Sequence, residues 1–94
     1  MTKDLYKELG NEIVGFRGLL KSLRSALLPS RKKEIDERLL KITRLAHRIG
    51  GVVEEVAVEL KKGIDRLESG ELDLYEVHQL LEQVLKLEQE IREL

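Results

Sequence analysis

Large apolar residues return at alternating intervals of three and four along almost the whole chain. In the first third they fall at Leu5, Leu9, Ile13, Phe16, Leu20, Leu23 and Leu27. That spacing keeps one stripe on one face of a 3.6-residue helix and predicts a helix over about residues 3–28. Leu28-Pro29-Ser30 ends it, because a residue before proline is pushed out of the helical region and Ser30 suits an N-cap. The stripe resumes at Ile35 and runs through Leu39, Ile42, Ala46, Ile49, Val53, Val56, Leu60, Ile64 and Leu67 with a single extra step. One register held this long predicts a continuous or gently kinked helix over 31–69, about 57 Å long at ~1.5 Å per residue. Gly50-Gly51 falls inside that span and costs it about 2 kcal/mol relative to Ala-Ala, yet the stripe does not change phase across the pair; the alternatives are a monomeric three-helix bundle with this helix bent, or a four-helix bundle broken at Gly50-Gly51.

Ser69-Gly70 reads as the stop, with glycine supplying the left-handed residue past the helix end. The third helix, 72–94, opens on the most specific local signal in the chain: Leu72 as staple, Asp73 as N-cap, Glu76 at the third helical position and Val77 at the fourth. Its stripe is Val77, Leu80, Val84, Leu87, Ile91 and Leu94.

These elements define an all-α fold: one domain, 1–94, built of three long antiparallel helices in a helical bundle. Short connections set the first and third helices antiparallel to the second. Each end of the second helix then has one companion where a closed bundle needs more, so a second copy is expected to complete the core as a homodimer with coiled-coil-like packing. The chain has 94 residues, no Trp, and only Tyr6, Phe16 and Tyr75 as aromatics, so the core must be aliphatic. Charged residues make up 37% of the chain and Asn11 is its one asparagine, a thermophile-like bias. Cysteine is absent, which excludes disulfides, thiolate metal sites and a thiol nucleophile. No apolar run approaches the ~20 residues of a spanning helix. A soluble, cytoplasmic protein with no membrane partner is expected.

Charge is divided along the chain. Residues 17–48 hold ten basic and three acidic side chains, a net +7, whereas 49–94 hold five basic and twelve acidic, a net −7. Two copies of the second helix packed antiparallel would set opposite charges side by side.

The first helix carries a second stripe. Asn11, Gly15, Gly18, Ser22 and Ser25 recur at spacings of 4, 3, 4 and 3 on the face opposite Leu9 and Phe16, beside a basic row of Arg17, Lys21 and Arg24. Small residues at helical spacing permit close approach by another helix, so these eight residues form the candidate partner-binding face. The basic segment 17–48 offers a second use, docking a phosphate backbone, although aromatics are too few for base stacking.

His47 lies in Ala46-His47-Arg48-Ile49-Gly50-Gly51. This stretch resembles the phosphoacceptor motif of histidine phosphotransfer domains, helical bundles that present an exposed histidine followed by an aliphatic residue, a lysine and a glycine. IDRLESGELDLYEVHQLLEQVLKL is similar to the last helical hairpin of such domains. The resemblance spans about a third of the chain and implies His47 as phosphoacceptor in a two-component accessory role. Ile49 and Gly51 match the motif, and Gly50 stands where the family has its lysine.

Metal chemistry has little support. Arg44 and Tyr75, not Glu, stand three residues before His47 and His78, so the Glu-x-x-His pairs of di-iron bundles are missing, and His78 with Glu82 makes only two ligands. Ser22, Ser25, Ser30 and Ser69 lack a neighbouring base, and no phosphate-binding glycine loop occurs. The expected function is a non-enzymatic, self-associating interaction or scaffold module, without cofactor or metal.

Overall fold

The computed structural model describes residues 2–23, 26–67 and 70–93. Within them the apolar periodicity becomes four helices: α1 (Thr2–Lys21), α2 (Pro29–Ile49), α3 (Gly51–Asp65) and α4 (Leu74–Arg92). Two short strands, β1 (Ala26–Leu27) and β2 (Gly70–Glu71), pair antiparallel, with Ala26 opposite Glu71 and Leu27 opposite Gly70.

The uninterrupted helix expected over 31–69 is divided at Gly50. Gly50 has φ 78° and ψ −169°, and Gly51 has φ 62°, a region that glycine enters at little cost and other residues avoid. Phase could not reveal this break, because a stripe leading into a turn and one continuing through it can have the same spacing. The two-residue ladder fixes the direction of the fold: β1 precedes α2 and β2 follows α3, so the start of α2 and the end of α3 share one end of the molecule. α3 therefore runs back along α2. The longest dimension, 41 Å, has no room for a straight helix of ~57 Å.

Folding back supplies the neighbours that three helices lacked. α1 packs on α2, α2 on α3, α3 on α4, and α4 on α1. The core closes within one chain, with Leu9, Ile13, Phe16 and Leu20 of α1 meeting Ile35 and Ile42 of α2, Leu60 and Ile64 of α3, and Val84 and Leu87 of α4.

Helix ends also move. α1 stops at Lys21 rather than near Leu28. The Ser22 hydroxyl donates to the Leu19 carbonyl at 2.6 Å, and the Leu23 N–H turns to Leu20 at 3.2 Å, a tightened last turn in which a serine side chain competes for backbone carbonyls. Leu23 and Leu27 remain buried without being helical. α2 begins two residues early: Pro29 takes the first helical position, where its fixed φ is suited, and Leu28 is an N-cap with no side-chain bond. Ser30 is thus inside the helix. α3 ends at Asp65, its last turn closed by the Arg66 N–H on Gly63 and Ile64. Gly70 belongs to β2 at φ 121° and is not a helix cap; Ser69 lies outside the described residues. α4 starts at Leu74 with the expected N-cap and staple: Asp73 Oδ1 accepts from the Tyr75 N–H at 2.9 Å, and Leu72 and Val77 are both buried, while Glu76 is exposed.

A tight contact between helices involves a glycine that the periodicity did not single out. A Cβ at Gly63 on α3 would lie 2.6 Å from Leu80 Cδ2 of α4. Gly63→Ala should force those helices apart or Leu80 into another rotamer, at ~1–3 kcal/mol, partly offset by up to ~1 kcal/mol of better helix propensity. Urea denaturation is expected to show a net loss. A variant as stable as the parent would contradict this packing.

Candidate functional site

The small-residue stripe of α1 is on the surface. Asn11, Gly15, Gly18 and Ser22 are exposed; Ser25 lies outside the described residues, as does Arg24 of the basic row. The space over Gly18 is open, while a Cβ at Gly15 would sit 3.0 Å from Arg38 Nη1 of α2, the mobile tip of a long side chain. Among the described residues no backbone atom outside α1 lies within 4 Å of a Cβ placed at Gly15 or Gly18. Beside it, between α1 and α4, runs a shallow groove of about 190 Å³ lined by Gly10, Asn11, Val14, Glu88, Ile91 and Arg92.

Arg17 leaves the basic row. It crosses from α1 to α4 and donates to Glu88 Oε2 at 2.8 Å, the two side chains being 28% and 10% exposed. Arg92 Nη2 is 4.0 Å from the same oxygen. A carboxylate this buried is costly to desolvate unless a cation and hydrogen bonds compensate it, so Arg17 acts in structure more than in recognition. The second oxygen, Glu88 Oε1, is buried without a hydrogen-bond partner among the described residues. The i,i+4 spacing of Glu88 to Arg92 reads as an exposed helix pair, yet Glu88 also lies four residues after Val84 and three before Ile91, on the edge of the apolar stripe. Of the three basic positions, only exposed Lys21 is described on the surface of α1.

His47 is on the last turn of α2 with its side chain 80% exposed, and its Nδ1 pairs with Glu54 Oε2 across the turn. The motif residues around it are split: Ile49 ends α2, Gly50 forms the turn, and Gly51 starts α3. Where the phosphotransfer resemblance leads one to expect a lysine cation, the histidine instead has a carboxylate beside it, which opposes an incoming phosphoryl group. His78 Nε2 and Glu82 Oε1 are 3.2 Å apart on the outer face of α4. Among the described residues no three His, Cys, Asp or Glu side chains converge as a metal site.

Only the basic half of the charge division is plain on the surface. On α2, Arg31, Lys33, Arg38, Lys41, Arg44 and Arg48 are exposed against Asp36 and Glu37; on α3 and α4, exposed Glu55, Glu59, Asp65, Glu76 and Glu82 stand among exposed Lys61, Lys62, Lys86 and Arg92. Among the described residues, only Arg17–Glu88 and His47–Glu54 pair one half of the chain with the other; the remaining ion pairs stay within one helix. One of these, Lys61 Nζ to Asp65 Oδ2 at 2.9 Å, raises the lysine pKa chiefly through the hydrogen bond and then through the aspartate charge, with Asp36 of α2 adding to it. A cleft of about 410 Å³ lies between α1 and α2 and sets Glu8 and Glu12 against Lys41, Arg44 and Arg48. Those acids partly neutralise the basic surface that a phosphate backbone would need. Among the described residues no helix is long and apolar enough to cross a membrane.

Comparison of the chain with protein-family models, with curated proteins and with solved structures finds no match.

The Arg17–Glu88 geometry sets an order among substitutions. Arg17→Met leaves a buried carboxylate with only a distant cation and should cost ~1–3 kcal/mol. Glu88→Leu leaves an arginine that can reach water, so the double variant Arg17→Met/Glu88→Leu should recover stability relative to Arg17→Met alone. Chemical denaturation at neutral pH reads both; a loss under ~0.3 kcal/mol for Arg17→Met would mean the pair is solvated and of little worth. Gly18→Ala, with open space over it, should gain up to ~1 kcal/mol in the same assay.

Proposed function

We propose that this chain is a non-enzymatic helical interaction module whose principal partner is a second copy of itself. The observation that carries this is the outward charge of α2, where six exposed bases stand against two exposed acids; residues 49–94 carry a net −7, and among the described residues only two ion pairs join the halves. Two such molecules attract in an antiparallel arrangement, which favours encounter and fixes orientation. Exposed aliphatic side chains on each helix, Val14 of α1, Leu40 of α2, Val52 and Val58 of α3 and Leu85 of α4, provide apolar area to bury once charge has brought two copies together. The flat α1 face at Asn11, Gly15, Gly18 and Ser22 leaves room for a neighbouring helix.

Sedimentation velocity at micromolar concentration is expected to show a dimer in low salt. Its dissociation constant should rise at least about tenfold as ionic strength reaches ~0.5 M, where charges more than a few ångströms apart are screened. Reversal of basic charge by Lys41→Glu/Arg44→Glu should weaken it in low salt and leave little salt dependence. A monomer under all these conditions would refute self-association.

A second reading is favoured by one observation, the 80% exposed His47 imidazole on a helix: a phosphoacceptor role. Acid-labile phosphate on the protein after incubation with a small-molecule phosphodonor, lost in His47→Gln, would support it. With Glu54 beside the ring and glycine in place of the lysine, the expected result is no stable phosphohistidine.

A further inference from the structure

We propose that the Gly50-Gly51 turn is a hinge on which the chain opens, so that two copies exchange their α1–α2 and α3–α4 halves; this deepens the self-association reading and rests on it.

The first ground is a phase match that the closed molecule does not need. Ile42, Ala46, Ile49, Val53, Val56 and Leu60 follow one another at spacings of 4, 3, 4, 3 and 4 straight through the glycines. All are buried or packed against the core. A hairpin requires a stripe on each helix but no alignment between the two. A single helix through 29–65 requires that alignment, and the chain has it.

The second ground is the conservation of contacts on exchange. The two halves meet through α1 on α4, α2 on α3, and β1 on β2, together with Arg17–Glu88. If the turn straightens, each of these can re-form with the partner's complementary half, and the net +7 of residues 17–48 still faces the net −7 of 49–94. The His47–Glu54 pair within one chain is lost, because seven residues of a helix separate its ends by ~10 Å.

The third ground is the hinge itself. In the closed form the Gly50 N–H bonds to the Ala46 carbonyl at 2.8 Å and the Glu54 N–H reaches the Gly50 carbonyl at 3.4 Å. Straightening would add the helical bonds from Gly51, Val52 and Val53 to His47, Arg48 and Ile49. Glycine holds the balance toward the closed form by tolerating positive φ and by disfavouring helix. A Cβ at either glycine would meet no neighbouring atom within 4 Å, so alanine there reads backbone conformation alone.

The test compares the parent with Gly50→Ala/Gly51→Ala by sedimentation, small-angle scattering and isotope-filtered NOE spectroscopy on mixed labelled and unlabelled chains. Two alanines should shift the equilibrium toward the open form by at least about a hundredfold per chain, through strain in the closed form and propensity in the open one. The expected variant is an elongated dimer containing a helix of ~55 Å. NOEs between Val14 and Ile91, which line one groove across the halves, should be between chains. Those around Gly63 and Leu80, which meet within one half, should be within a chain. A dimer whose Val14–Ile91 NOEs stay within a chain overturns exchange and leaves self-association standing. A monomeric variant overturns exchange, and a parent that is also monomeric under the sedimentation conditions above overturns both. Should the variant not fold, the parent refolded from urea at millimolar concentration decides: an elongated dimer with interchain Val14–Ile91 NOEs supports exchange, and its absence overturns it.

Discussion

The backbone conformation of two consecutive glycines governs this structure. With φ of 78° and 62° at Gly50 and Gly51, α3 is turned back on α2, and every helix gains two neighbours in the same chain. Were those residues helical, half of each apolar stripe would face water until another molecule covered it. Closure of the core is therefore a local backbone property with a global result. The ladder of Ala26 and Leu27 with Glu71 and Gly70 ties the two remaining connections together at the opposite end.

A second constraint comes from the edge of the core. An aliphatic interior with one phenylalanine packs without polar groups, but Glu88 is drawn into it by its place on the stripe, and Arg17 follows to compensate the charge. This removes from the α1 surface a cation that linear inspection assigns to partner recognition. The same reasoning applies to His47, whose exposed ring takes up Glu54 from the next helix. In both cases a residue picked out for chemistry is partly answered by a neighbour that only the fold brings near.

What was legible in the sequence follows from what is local. The apolar stripes named nearly every core residue, and Asp73 capped its helix as its spacing implied. The direction of the chain at Gly50-Gly51 was not legible, because a 3/4 alternation is the same for a helix that continues and a helix that ends in phase. The end of α1 was not legible for a related reason: Leu23 and Leu27 are spaced as in a helix and buried, yet burial alone does not require helical backbone. The glycines of α1 drew notice by their regular spacing, whereas the close approach is at Gly63, a single glycine with no pattern around it. Which glycine meets a neighbour depends on helix pairing, and that pairing was set by the turn.

The same separation between local and global terms limits what can tip this molecule between one chain and two. Contacts among the core residues, the Arg17–Glu88 pair and the charge contacts that the two halves make inside the closed molecule are the same whether the halves belong to one chain or are exchanged, unlike the outward charges that draw two molecules together. The shared contacts contribute to both forms alike and cancel in the difference. What does not cancel is the backbone of residues 50–53, the His47–Glu54 contact and the entropy of bringing two chains together. Substitution at Phe16 or Leu60 would then lower the stability of either form without favouring one, while a change at the turn, though it touches no core atom, alters their ratio. A glycine pair on an otherwise unbroken stripe thus places control of the exchange in two residues that contribute almost nothing to the core.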